Sequence, residues 1–155
     1  MKPDDATLLR SLLRDCRLLS LGVLVEGEPN VGLVPFAVGQ SFGTLIIHVS
    51  RLARHTRGLG DNAPVGMMIH LPETAESDPL QIPRVSLQGK VRMPQPDSSE
   101  YEDCKRIYLQ KFPQSSMTFD LADFQLLELE LMSGRLVAGF GRALNLNADH
   151  FRELC

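Results

Sequence analysis

A chain of 155 residues, 43% hydrophobic and 23% charged, is sized for one domain, spanning 1–155, around a single core. Its net charge of −3 and isoelectric point near 5.8 exclude a general attraction to nucleic acid or to an anionic membrane, so any basic site must be local. Cys16, Cys104 and Cys155 are odd in number, widely spaced and without a C-x-x-C pair, which excludes a disulfide framework and predicts free thiols. With no charged leader ahead of an apolar stretch, and no apolar run near the ~20 residues of a span, a soluble cytoplasmic protein is expected.

In chain order, Leu8, Leu9, Leu12 and Leu13 recur at helical spacing in DDATLLRSLLRD. Asp4 and Asp5 open that helix, where negative charge suits the dipole. RLLSLGVLVEGEPNVGLVPFAV predicts a hairpin about the turn EGEPN, GTLIIHV a third strand and APVGMMIHL a fourth. Between these two lies room for about three helical turns. PETAESDPLQIP reads as a loop, and RVSLQGKVRM as a fifth strand. PQPDSSEYEDCKRIYLQKF predicts a helix capped by Asp97, with Tyr101, Cys104, Tyr108 and Phe112 on one stripe and Pro113 ending it. In FQLLELELM, Leu127, Leu129 and Leu131 alternate with Glu128 and Glu130, the pattern of a strand with one buried and one wet face. GRLVAGFG offers one more strand, and NADHFREL a last helical turn capped by Asn147. Six or seven strands with tight turns and flanking helices fit a mainly β, antiparallel barrel better than a βαβ sheet.

The segment SRLARHTRGL carries Arg51, Arg54 and Arg57 at three-residue steps. On a helix beginning near Ser50 these would form one stripe, with Leu52 and Leu59 facing the core. Like charges so stacked need compensation. One source is solvent, with the arginine stems lying on apolar surface. The other is a bound phosphate, held by free first-turn N–H groups, the Ser50 hydroxyl and the guanidinium groups.

His48, His55, His70 and His150 are scattered without metal-ligand spacing; His48 and His70 sit in strand patterns and read as hydrogen-bonded barrel residues. GFGRA lacks the spacing and the following helix of a dinucleotide turn. With no nucleophile elbow, P-loop or carboxylate pair, no residue is nominated as a general acid or base.

The order VGLVPFAV, GTLIIHVSRLARHTRGLGDNAPVGMMI, DPLQIPRVSLQGKV, LVAGFGRA resembles the pyridoxamine 5′-phosphate oxidase-like FMN-binding split-barrel family, over roughly Leu8 to Ala143. It is most similar to the branch of bacterial haem-utilisation and FMN-binding proteins. The resemblance implies a homodimer with FMN in a groove between subunits. It matches Arg54 and His55 to the phosphate-binding positions, with Ser50, Arg51, Thr56 and Arg57 close by. It lays the flavin along Leu33, Val34, Pro35 and Phe36, and puts Arg84 at the fifth-strand position that reaches the ring. Where the true oxidase carries a lysine this chain has His55, and that enzyme's C-terminal arginine pattern is not recognisable around GFGRALNL. The implied function is an FMN-dependent oxidoreductase of unknown substrate. The alternative is a haem-binding or haem-degrading protein with His150, preceded by Asp149, as iron ligand; a third is a non-catalytic interaction module.

Overall fold

A computed structural model describes residues 1–154; Cys155, read as a free thiol, lies outside the described residues. Helix α1 (Pro3–Asp15) has proline and two aspartates in its first turn and buries Leu9, Leu12 and Leu13 completely. Strands β1 (Leu18–Val25) and β2 (Glu28–Val38) pair antiparallel from Leu18 opposite Pro35 to Val25 opposite Glu28. Their turn is tighter than expected. Glu26 and Gly27 alone make it, both at positive φ (54° and 78°), because that backbone hand matches the twist of the flanking strands. Pro29 and Asn30 are therefore strand residues, on a stretch of β2 that pairs with β1 alone, where proline is tolerated.

Strands β3 (Thr44–Ser50), β4 (Pro64–His70), β5 (Arg84–Arg92), β6 (Phe124–Gly139) and β7 (Arg142–Asn147) complete one antiparallel sheet ordered β3-β2-β1-β4-β5-β6-β7. Pairing of β3 with β6 closes the first six strands into a barrel and leaves β7 as an addition outside it. FQLLELELM and GRLVAGFG, expected as separate strands, are one 16-residue strand, β6. Gln88 faces Ser133 while Gly89 faces Leu131, so Met132 is a bulge. The bulge moves the buried positions from the odd-numbered Leu127, Leu129 and Leu131 to the even-numbered Leu136, and that parity change is what divides the pattern in the sequence.

Alternate residues of every barrel strand point inward, among them Leu19, Leu21, Phe36, Ile47, Ile69, Val85 and Leu129. Helix α1 joins this core, as do Phe151 and Leu154 at the C-terminal end, where α3 (Ala148–Arg152) begins at Asn147 as expected. Helix α2 (Ser99–Lys111) packs Cys104, Tyr108 and Phe112 on the outward Ala37, Ile46 and Leu126. Its cap is Ser98, whose Oγ accepts the Tyr101 N–H, and not Asp97, which sits before it at φ 65°. The same helix covers Glu128, expected on the wet face of β6 but only 7% exposed; Glu130, beyond the helix, is exposed. Burial holds the Glu128 carboxyl above its ordinary pKa, and burial with the neighbouring carboxylate pushes the Cys104 thiol up to about 12. Among the described residues no helix is long and apolar enough to cross a membrane.

Candidate functional site

The arginine segment does not form the expected helix. A five-residue 3-10 turn, Arg54–Gly58, follows β3, and its shape is set by the need to cross β1. Gly58 packs so closely that a Cβ there would stand 2.6 Å from the Leu24 carbonyl oxygen, and Leu59 is buried behind it. Leu52, expected in the core, is 84% exposed. The polar groups at the start of the segment are used internally. Arg51 N–H donates to Asp123 O (2.6 Å), Leu52 N–H to Ser50 Oγ (3.2 Å), Ala53 N–H to Ser50 O (3.2 Å) and the Thr56 hydroxyl to Ser50 O (2.6 Å). The free first-turn amides anticipated for an anion are thus mostly absent. What remains available is cationic: Arg51, Arg54 and Arg57 are exposed and join no ion pair among the described residues.

His55 behaves differently from its arginine neighbours. Its ring lies against Gly32 of β2, and its Nε2 is buried without a partner. Burial lowers its pKa, which favours the neutral imidazole.

On β2 the four residues expected beside a flavin divide by parity. Leu33 (66% exposed) and Pro35 face outward, whereas the Val34 and Phe36 side chains belong to the core and leave only backbone for a ligand. Leu33 stands opposite Ser20, and Ser20 opposite Met68, forming a row across β2, β1 and β4 with a small residue at its centre. This row is part of a groove of about 610 Å³ whose walls include Cys16, Arg17, Leu18, Leu33, Met68 and His70.

His70, expected as a hydrogen-bonded barrel residue, is one, but on the outer face of β4, where it is exposed in that groove. The parity of β4 accounts for this, since Val65, Met67 and Ile69 point inward and the even positions outward; the signal was present in the sequence. His70 Nδ1 lies 2.7 Å from Leu71 O, and because a carbonyl only accepts, Nδ1 carries the proton and Nε2 of the neutral ring keeps its lone pair. Arg84 is directly opposite His70 on β5, with Nη1 donating to Ile82 O at 3.0 Å. The Cys16 thiol donates to His70 O (3.5 Å), and burial raises its pKa.

The other two histidines are committed elsewhere. His48 is buried and hydrogen-bonded, as expected, but on the outer face of β3. It stacks on Phe119 with centroids 3.8 Å apart and donates from Nδ1 to Thr118 Oγ1 (3.1 Å), while burial and then Lys105 lower its pKa to about 4. His150 caps α3: its Nδ1 accepts the Asn147 N–H (3.1 Å), which puts the proton of the neutral ring on Nε2. Fold topology thus brings Leu33 and His70 to one groove and sets Arg84 directly across the strand pair from His70. It leaves the arginine turn against Val23, Leu24 and Gly32, further along β1 and β2.

No protein-family profile matches the chain. Over 132 residues it is 29% identical to the haem oxygenase HutZ of Vibrio cholerae, covering 80% of this chain and 70% of that protein. The solved structure of a haem binding protein from Mycobacterium smegmatis superposes with a TM-score of 0.84 at 27% identity, over 99% of this chain. This chain spans 62% of that protein's length. An FAD and haem binding protein from Mycobacterium smegmatis shares the fold, with a TM-score of 0.63 at 17% identity over 91% of this chain and 72% of that one.

Proposed function

Because this chain belongs to the pyridoxamine 5′-phosphate oxidase-like split-barrel family, on its haem-utilisation branch, we propose that it is a haem-binding protein whose ligand occupies the groove across β2, β1 and β4. The observation that carries this reading is the groove itself. Leu18, Leu33 and Met68 supply an apolar bed, an imidazole stands at its edge, and Arg84 adds positive charge next to that imidazole. Such a site suits a flat, largely apolar ligand that also carries a metal and carboxylates. Bound haem supplies iron-centred redox and oxygen chemistry. The chain's own part is to bury one face of the macrocycle, fix its orientation and hold its charged edge. Titration of the purified chain with haemin, followed by gel filtration, tests this. A retained Soret band is the expected outcome, and loss of all haem on the column counts against it.

One observation favours a second reading, an FMN-binding oxidoreductase: three exposed arginines within seven residues of a net-acidic chain, none of them in an ion pair among the described residues. Guanidinium groups in that density suit a phosphate. Quenching of flavin fluorescence on adding the protein to FMN is the corresponding test. Either ligand is proposed to bind a homodimer, joined through the apolar outer face that Leu24, Val31 and Leu33 leave uncovered.

A further inference from the structure

We infer that His70 coordinates the iron of a metalloporphyrin in this groove, and that Arg84 beside it takes one of the porphyrin's carboxylates; the inference rests on the haem reading above and names its ligand residue. The four histidines of the chain differ in what their nitrogens can do. His55 Nε2 is closed off from solvent, and the His48 ring is sandwiched under Phe119 with Nδ1 bound to Thr118. His150 accepts a backbone N–H at Nδ1, so its Nε2 carries a proton and has no lone pair for a metal. His70 has the opposite arrangement. Its Nδ1–H is tied to a carbonyl, its Nε2 lone pair is free, and the ring is exposed in the one place where apolar side chains form a bed beside it. A backbone acceptor on the distal ring nitrogen fixes both tautomer and orientation and makes the coordinating nitrogen a better donor.

Two neighbours complete the argument. Cys16, the thiol of the groove, donates its S–H to the His70 carbonyl and so steadies the histidine backbone. The hydrogen bonds of Arg84 to Leu80 O and Ile82 O both use Nη1, leaving Nε and Nη2 for a carboxylate at a position directly across the strand pair from the imidazole.

The test uses the full chain and ferric protoporphyrin IX. His70→Ala is expected to shift the Soret band and weaken binding by roughly tenfold or more, since loss of a ligand should cost at least as much as loss of an outer-shell partner. Added imidazole should restore the wild-type spectrum, which separates a missing ligand from a misfolded protein. His150→Ala should leave the band in place. Arg84→Ala should weaken haemin but not its dimethyl ester. A His70→Ala protein with wild-type Soret position and affinity overturns the inference while leaving haem binding intact, and a Soret shift in His150→Ala instead would move the ligand there. Equal loss of haemin and ester in Arg84→Ala removes the carboxylate role. A wild-type chain that retains no haem overturns the underlying reading as well.

Discussion

The His55 ring occupies the space that a side chain at position 32 would need: a Cβ on Gly32 would stand 2.6 Å from His55 Nδ1 and within 2.9 Å of two ring carbons. Because Gly32 pairs with Leu21 and its missing side chain would point inward, the histidine fastens the turn after β3 to the β1–β2 ladder. Gly32→Ala should therefore expel the ring and destabilise the fold by about 1–3 kcal/mol, the usual cost of overpacking. In Gly32→Ala/His55→Ala the loss should be less than the sum of the two single losses, because the clash is gone. Urea unfolding of the four proteins measures the cycle, and strict additivity would contradict the contact.

The same contact separates His55 from Arg54 as a phosphate ligand. If FMN binds through the exposed guanidinium groups, Arg54→Ala should weaken it by about 1.5–3 kcal/mol, the worth of a hydrogen bond to a charged group. His55→Ala should change the affinity far less, since its Nε2 is buried and its neutral form is favoured. A fluorescence titration in which His55→Ala is the more damaging change would show that the ring leaves its pocket when the ligand binds.

Gly22 lies between Val31 and Gly66 on the outer face of β2, β1 and β4, so this part of the sheet is flat as well as apolar. Val31 and Leu24 project from it, 75% and 54% exposed. Val31→Glu with Leu24→Glu should convert a dimer to a monomer in sedimentation velocity. Unfolding of the separated chain should change by no more than about 0.5 kcal/mol per substitution, as befits surface positions. A wild-type chain that sediments as a monomer would remove the proposed dimer, and a dimer unaffected by both charges would place its contact elsewhere.

His48 should make the fold acid-sensitive. The unfolded imidazole takes up a proton near 6.5, the native one only near about 4, because burial and then Lys105 disfavour the cation. Unfolding is therefore coupled to proton uptake between those values. The contribution is complete above pH 6.5 and is lost as pH falls towards 4, by up to about 3 kcal/mol. Glu128, in the same layer beneath α2, acts in the other direction: its native pKa is raised, so over the range just above 4.5 protonation favours the folded state and offsets part of the loss. Urea midpoints at pH 7.5 and 5.5 should diverge for the wild type and less so for His48→Gln. Parallel behaviour of the two would show that His48 does not dominate this range.

Local pattern made much of this architecture legible in the sequence. The leucine spacing of α1, the strand runs of β1 to β5, the stripe of α2 and the Asn147 cap all depend on neighbours within a few residues, which is the range over which side-chain period and capping act. The antiparallel barrel followed from counting such elements, and the arginine cluster was plain. Tertiary contact decided the rest. Glu128 alternates like a solvent-facing residue, and only the docking of α2 buries it; Met132 is an ordinary strand residue until β5 forces it into a bulge. The stretch after Ser50 had the composition of a helix, yet the approach of Gly58 to Leu24 and of His55 to Gly32 leaves room only for a 3-10 turn. His70 shows the division most clearly: its outward direction was available from strand parity, but its proton position and its neighbours Cys16 and Arg84 depend on hydrogen bonds and strand pairings between distant segments, which no local pattern encodes.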